Sequence, residues 1–319
     1  MYEEKRNVCA MIVTYNRRKL LEELLDQLLL SRYSLKGIII VNNDSPDSTD
    51  EMLLSKGIIN LSEPNVLSEN IWKGVHIYYY RNSENIGGSG GFAKAFGIAQ
   101  ELNYDCYWVM DDDVFPEEDC LGNLLQYLDN DAEVCVPCRG DDKYIDYAVC
   151  KYDLKNPLLF HGNNCKRNLL DGSQIKEPYV YVEDMTFEGP LFTKGIMDKA
   201  GLPDAGYFIL YDDTDYAHRV QTYTQIRYIP SAILHKQLIS NGKGSWGWKV
   251  FYNTRNAIYF DSKYGKNWAV RKLRPFFRIC DLIMRSVLRG NFNRIKWLCK
   301  AYCDGCRGRM GKAVPPGGI

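Results

Sequence analysis

Residues 108–115, WVMDDDVF, decide how the rest of the chain is read. The apolar run Tyr107-Trp108-Val109-Met110 breaks off into three carboxylates, Asp111, Asp112 and Asp113. Adjacent like charges repel, so a fold that keeps them together needs compensation. A divalent cation supplies it, because hard cations take oxygen ligands. A solvated acidic turn after a buried strand is the plain alternative. Side chains alternate along a strand, so an extended backbone points Asp111 and Asp113 one way and Asp112 the other.

The same pattern recurs on either side. Residues 8–13 are continuously apolar, as in a strand buried on both faces, and end in Thr14, Tyr15, Asn16 and Arg17. Leu20, Leu21, Leu24, Leu25, Leu28 and Leu29 then repeat with helical spacing. A second strand, residues 37–41, ends in Asn42, Asn43 and Asp44, and a short helix follows from about Asp50. A third, residues 75–80, leads through Arg81 and Asn85 into Gly87-Gly88-Ser89-Gly90-Gly91 and a helix. Those glycines suit either a phosphate at a helix N-terminus or close helix–strand packing, and they match neither phosphate-loop fingerprint. After the triple Asp the pattern predicts a helix over 116–128 and a short one over 194–200. Residues 206–211 read as a buried strand ending in Asp212, Asp213 and Asp215, and residues 227–234 as a last strand ending at His235. Capping of the helix that follows is the bland use of Asp213 or Thr214. Alternating strands and helices give an α/β class with a mostly parallel sheet, and polar residues at strand carboxyl ends mark its ligand side.

Composition sets the bounds. The chain has 319 residues, is 45% hydrophobic, and balances 40 Lys+Arg against 40 Asp+Glu. Between Lys266 and Lys312 there are 13 Lys/Arg and 2 Asp, a net of +11, which leaves −11 on the remainder. The chain divides into residues 1–265, the α/β domain, and residues 266–319, a basic amphipathic helical region. That region suits an anionic membrane surface, or else a docking helix or a homo-oligomer contact. It carries no nucleic-acid recognition motif. Eleven scattered Cys and a polar start without a leader read as reduced thiols in a cytoplasmic protein. Cys299, Cys303 and Cys306 lack a fourth ligand and fit no common zinc spacing.

Taken together, these motifs resemble the inverting family 2 glycosyltransferases, which have the GT-A fold, over roughly residues 8–259. The carriers are Val13-Thr14-Tyr15-Asn16-Arg17, residues 41–47 (VNNDSPD), residues 85–91 (NIGGSGG), Asp111-Asp112-Asp113, Asp212-Asp213-Thr214-Asp215 and His235. The glycine loop, the MDDD strand end and the YDDTDY segment look most like galactofuranosyltransferases, with rhamnosyltransferases next. The resemblance implies a UDP-sugar donor, most simply UDP-galactofuranose. It implies Mn²⁺ or Mg²⁺ on Asp111, Asp113 and His235. Thr14, Tyr15, Asn16, Arg17, Asn42, Asp44, Arg81, Asn85, Gly87 and Asp112 fall at nucleotide-side positions. Where the family has Asp after the second strand this chain has Asn42, with Asp44 two residues on. Asp213 matches the base and Asp212 the neighbour that orients acceptor hydroxyls. Glu188, Trp246 and Trp248 are acceptor-side candidates, the two Trp belonging to a Gly-rich loop, residues 241–247 and the next residue, that looks like a lid. The implied acceptor is a lipid-linked surface glycan, reached from the inner face of a cell membrane by a peripheral protein. A rhamnosyl- or other hexosyltransferase, and a non-catalytic nucleotide-sugar scaffold, are the rival readings.

Overall fold

The structure, a computed structural model, describes residues 6–141, 143–161, 165–238 and 247–315. Its centre is a set of fully buried strands that require no alternation because helices cover both faces. These are β1 (Val8–Thr14), β2 (Gly37–Asn42) and β5 (Cys106–Asp111). β1 pairs in parallel with both of the others, and β2 pairs in parallel with β4 (Val75–Arg81). β3 (Leu67–Trp72) closes that edge as an antiparallel hairpin with β4. The intervening helices are α1 (Arg18–Leu29), α2 (Thr49–Ser55) and α3 (Gly87–Glu101).

Beyond β5 the chain forms β6 (Val114–Pro116), α4 (Cys120–Gln126), β7 (Val134–Cys138), the hairpin β8 (Tyr147–Tyr152) and β9 (Lys166–Asp171), and β10 (Val180–Val182). Then come β11 (Leu191–Thr193), α5 (Lys194–Ala200), α6 (Asp212–Val220) and β12 (Ile226–Lys236). Strand order across the main sheet is β10-β12-β7-β11-β5-β1-β2-β4-β3, with β6 on β12. β11 lies antiparallel between β5 and β7, so a strand from late in the chain completes the centre of the sheet. One core layer joins α1, α2 and α4 to one sheet face, and a second joins α3, α5 and α6 to the other. Within them Trp108 is fully buried and its indole N–H donates to the Gly189 carbonyl at 2.8 Å.

Three sequence expectations are corrected. The helix expected over 116–128 is shorter, because Val114–Pro116 pairs with β12 instead. β3 was not anticipated: its burial pattern follows no clean alternation. Residues 206–211 are not a strand. Ala205–Tyr207 forms a single 3-10 turn, and Phe208, Leu210 and Tyr211 then adopt positive φ of 65°, 66° and 74°. Each such non-glycine residue costs about 1 kcal/mol, so surrounding structure must impose the conformation.

The imposing structure is C-terminal. Helices α7 (Lys249–Tyr264), α8 (Arg274–Leu288) and α9 (Asn293–Arg307) pack on one another, with a π-helical turn at Ala269–Leu273 leading into α8. Phe208 joins Phe251, Tyr252, Ala301 and Val314 in a third apolar cluster. Three of the tail's arginines, Arg274, Arg278 and Arg294, are buried. Arg274 bonds Asp261 and the carbonyls of Asp153 and Asn156. One side of the helical tail is therefore docked on the body.

Candidate active site

The ends of β1 and β5, the start of α3, the turn before α6 and the start of α7 enclose a cleft of about 930 Å³. That volume suits a nucleotide sugar. Of the residues singled out from sequence, Thr14, Tyr15, Asn16, Arg17, Asn85, Gly87, Asp111, Asp112, Asp113, Glu188, Asp212, Asp213 and Trp248 line it.

β5 ends at Asp111, and Asp112 and Asp113 lie in a turn, so the strand alternation expected across the triple Asp does not run through it. Asp112 turns toward the loop after β1, accepting from the Thr14 hydroxyl at 2.7 Å, the Tyr15 amide at 3.3 Å and Arg17 at 2.8 Å. Arg17 also reaches Asp113 at 3.0 Å. Asp113 Oδ1 is buried without a hydrogen-bond partner among the described residues. Burial raises the pKa of Asp111 well above the ordinary range, and the charges of Asp113, Glu188 and Asp112 add to the effect. Burial raises Asp113 as well, against the opposing charge of Arg17. These are two carboxylates held together at an electrostatic cost.

The glycines serve the close packing that the sequence offered as one of their two uses. A Cβ on Gly87 (φ +80°) would lie 2.1 Å from the Phe208 carbonyl oxygen, and one on Gly91 would lie 2.5 Å from Val13. α3 is thereby pressed against β1 and the turn before α6. In its first turn the Gly87 amide donates to Asn85 Oδ1 at 2.8 Å and the Ser89 amide to the Phe208 carbonyl at 3.1 Å; Gly87, Gly88 and Ser89 line the cleft, where a helix N-terminus favours negative charge. Asn43 organises this corner, donating to Asn85 and the Gly87 carbonyl and accepting from Asn82 and the Ile86 amide.

Across the cleft, Asp212 and Asp213 begin α6 rather than end a strand. Burial raises both carboxyls; for Asp213 the charges of Asp212 and Asp184 add to it and Lys166 opposes it. Asp215 is structural instead. It is fully buried and held by Tyr207, Lys263, Tyr264 and Arg219. Asn256 of α7 clamps the strained turn, its amide donating to the carbonyls of Tyr207, Ile209 and Leu210 at 3.1, 2.8 and 2.8 Å. Arg255 bonds the carbonyls of Gly206 and Tyr207. Asn256→Leu removes these donors and should cost about 3 kcal/mol, roughly 5 °C in melting temperature. Turnover should fall about tenfold through misplacement of the acid pair, while nucleotide affinity holds. An unchanged melting temperature would remove the clamp from this account.

Other expected residues lie elsewhere. Asn42 is fully buried, donating to Asp50 and Tyr79 and accepting from the Ser45 amide, so it cannot meet a nucleotide. Asp44 and Arg81 pair with each other outside the cleft, and Arg81 also holds Asp50. His235 is not brought to Asp111 and Asp113. Its ring nitrogens meet Glu117 at 3.1 Å and Asp141 at 3.4 Å. The next residue, Lys236, points to the other face of β12 and bonds Glu188. Trp248 packs edge-on against Tyr252 and Phe208. Trp246 and the expected lid, apart from Gly247, fall outside the described residues.

Asn43, Ser89 and Lys249 line the cleft and were not singled out as candidates, nor were Lys166 and the Arg139 that holds Glu188. Only Asn43 and Ser89 carried a signal, as members of motifs already quoted. Glu188 is pulled below its ordinary pKa: burial alone would raise it, but Arg139 and Lys236 outweigh that. Among the described residues no three His, Cys, Asp or Glu side chains converge as a closed metal-ligand set.

The family model for glycosyl transferase family 2 matches residues 9–151. Galactofuranosyltransferase GlfT1 of Mycolicibacterium smegmatis is 26% identical over 217 residues, 67% of this chain and 65% of that protein. Abequosyltransferase RfbV of Salmonella typhimurium is 31% identical over 128 residues, 39% of this chain and 33% of that protein. The chain thus matches just under two thirds of the length of the first relative and a third of the second. Among solved structures, the mannosyltransferase PcManGT from Pyrobaculum calidifontis, in complex with GDP-Man and Mn²⁺, superposes with a TM-score of 0.55 at 13% identity, covering 95% of this chain and 87% of that one. TarS from S. aureus gives 0.55 at 11% identity, covering 95% and 82%. Residues 9–151 thus match the model of glycosyl transferase family 2, and the chain has the mixed α/β architecture of the GT-A glycosyltransferases.

Proposed function

We propose that the protein is a metal-dependent inverting glycosyltransferase that moves galactofuranose from UDP-galactofuranose onto a lipid-linked surface glycan. The observation that carries this reading is the pair of acidic centres, Asp111/Asp113 and Asp212/Asp213, opening into one cleft of nucleotide-sugar size. The loop of residues 14–17, Asn43, Asn85 and the start of α3 hold the nucleotide. Asp111 and Asp113 fit a divalent cation, Mn²⁺ or Mg²⁺, since one buried oxygen is orphaned and both carboxyls are raised. Two protein carboxylates leave the remaining positions to donor phosphates. When bound, that cation offsets charge on the departing diphosphate. Asp213 takes the acceptor hydroxyl proton during attack, and Asp212 orients the acceptor. Glu188 and Trp248 border the acceptor side. The name of the longer-matching relative favours galactofuranose; the 31% match to an abequosyltransferase keeps another donor sugar, rhamnose included, as the second reading. A lipid-linked acceptor would place the protein on the inner face of a membrane.

Titrating purified protein with UDP, first with Mn²⁺ and then with EDTA, tests the site. Binding that appears only with metal is the expected result. Binding unaffected by EDTA would remove the cation from the reading, and no binding in either condition would remove UDP and move the test to dTDP. A panel of donor sugars then separates the two readings.

A further inference from the structure

The helical tail has a second side. On α8, Phe276, Cys280, Ile283, Met284 and Val287 recur at three- and four-residue intervals and share one face. Four of the five are exposed and Ile283 is half-buried, while Pro275, Ile279 and Ser286 face inward. The stripe is extended at its ends by large residues that touch little: Leu288 is 78% exposed, Trp268 67% and Phe292 63%. Lys272, four residues before Phe276, and Lys296 and Arg307, on the α9 helix that packs against α8, stand exposed on the same helical unit. No described helix is long and apolar enough to cross a membrane.

We infer that this face of α8, with Trp268, Leu288 and Phe292, docks the protein on an anionic lipid surface. The inference builds on the lipid-linked acceptor proposed above and says which residues meet the bilayer. An amphipathic helix whose apolar stripe is edged by Lys and Arg lies in the interfacial plane, rings and thioether among the acyl chains, cations among the headgroups. Charge discriminates against the rival occupant, a second copy. A two-fold contact would set the same patch against itself, so Lys272 and Lys296 would meet their own kind. Anionic headgroups instead complement them. The buried Arg274, Arg278 and Arg294 take no part, so the surface charge is smaller than the tail's composition suggests.

Flotation of the full chain with phosphatidylcholine vesicles, with and without phosphatidylglycerol, tests the surface. The protein should partition at least about tenfold more strongly onto the anionic vesicles, and less as salt rises. The triple variant Phe276→Glu, Met284→Glu and Val287→Glu should lower partitioning by about 100-fold. Lys272→Glu with Lys296→Glu should lower it about fivefold or more per charge. Both variants change exposed residues remote from the cleft, so UDP binding should stay at the wild-type value and certify the fold. Wild-type protein that fails to float, or a triple variant that floats like wild type, overturns the inference while leaving the transferase reading intact. A wild-type dimer that the triple variant splits, with no vesicle binding, also overturns it and assigns the face to self-association. Loss of UDP binding in the wild type, with flotation intact, strikes the proposed function alone.

Discussion

Asp213→Asn should lower turnover by about 10³-fold or more, toward the upper end of what a positioned general base contributes. The substitution keeps shape and removes the proton-accepting charge, so UDP affinity should stay within about twofold of wild type. Wild-type turnover in this variant would sink the assignment of the base. The wild-type pH profile gives a second reading of the same group. Burial and the neighbouring charges of Asp212 and Asp184 hold the folded-state pKa of Asp213 above the ordinary carboxylate value. The base acts ionised, so activity is absent below that raised pKa and rises with pH through it. The acid limb should therefore lie above the ordinary range near 4. Lys166 opposes the shift, so Lys166→Met should move the limb further toward alkaline pH. A limb at the unperturbed carboxylate value would mean that the pair is not desolvated during turnover.

The second large effect is Asp111→Asn. It removes one of the two carboxylates proposed to hold the cation and should weaken metal-dependent UDP binding by about 100-fold. The same change should raise the melting temperature of the free protein by about 2 °C. Asp111 is only partly compensated: burial and the charges of Asp113, Glu188 and Asp112 disfavour its ionised form, and Arg17 opposes them. Neutralising it relieves that repulsion. Function and stability then move in opposite directions, which separates a ligand-binding carboxylate from a structural one. Asp215→Asn is the control: its carboxylate is fully buried and paired with Lys263 and Arg219, so stability should fall. If Asp111→Asn lowers the melting temperature, the carboxylate is structural and the metal site fails with it.

The N-terminal half of the molecule was largely legible in the sequence, because that half is built from local signals. Fully buried β1, β2 and β5 read as unbroken apolar runs, and their polar ends fall at the cleft. The failures share a cause. Whether Asn42 or Asn43 meets the cleft depends on a turn that Asp50 and Tyr79 fix from other elements. His235 and Lys236 differ only in which face of β12 they occupy, and a one-residue change of register exchanges them. Residues 206–211 have strand composition, yet Asn256 and Arg255 from nearly fifty residues away impose a left-handed turn. Motif spacing therefore picked out acids that share one cleft and misread the backbone that carries them.

The position of β11 limits how this protein can be taken apart. The segment that matches the family model ends at residue 151, but the strand that separates β5 from β7 is Leu191–Thr193. Cut at 151, the segment would expose the hydrogen-bonding edge of β5, the strand that carries the triple Asp, and such an open edge recruits other chains. The start of α3 would also lose Phe208, whose carbonyl accepts from the Ser89 amide at 3.1 Å. The segment that matches the family model and the acid-bearing segment after it are not interchangeable cassettes. A chimera that grafts a new sugar preference onto this scaffold must carry α3, the 205–211 turn and the Arg255–Asn256 pair as one inherited unit.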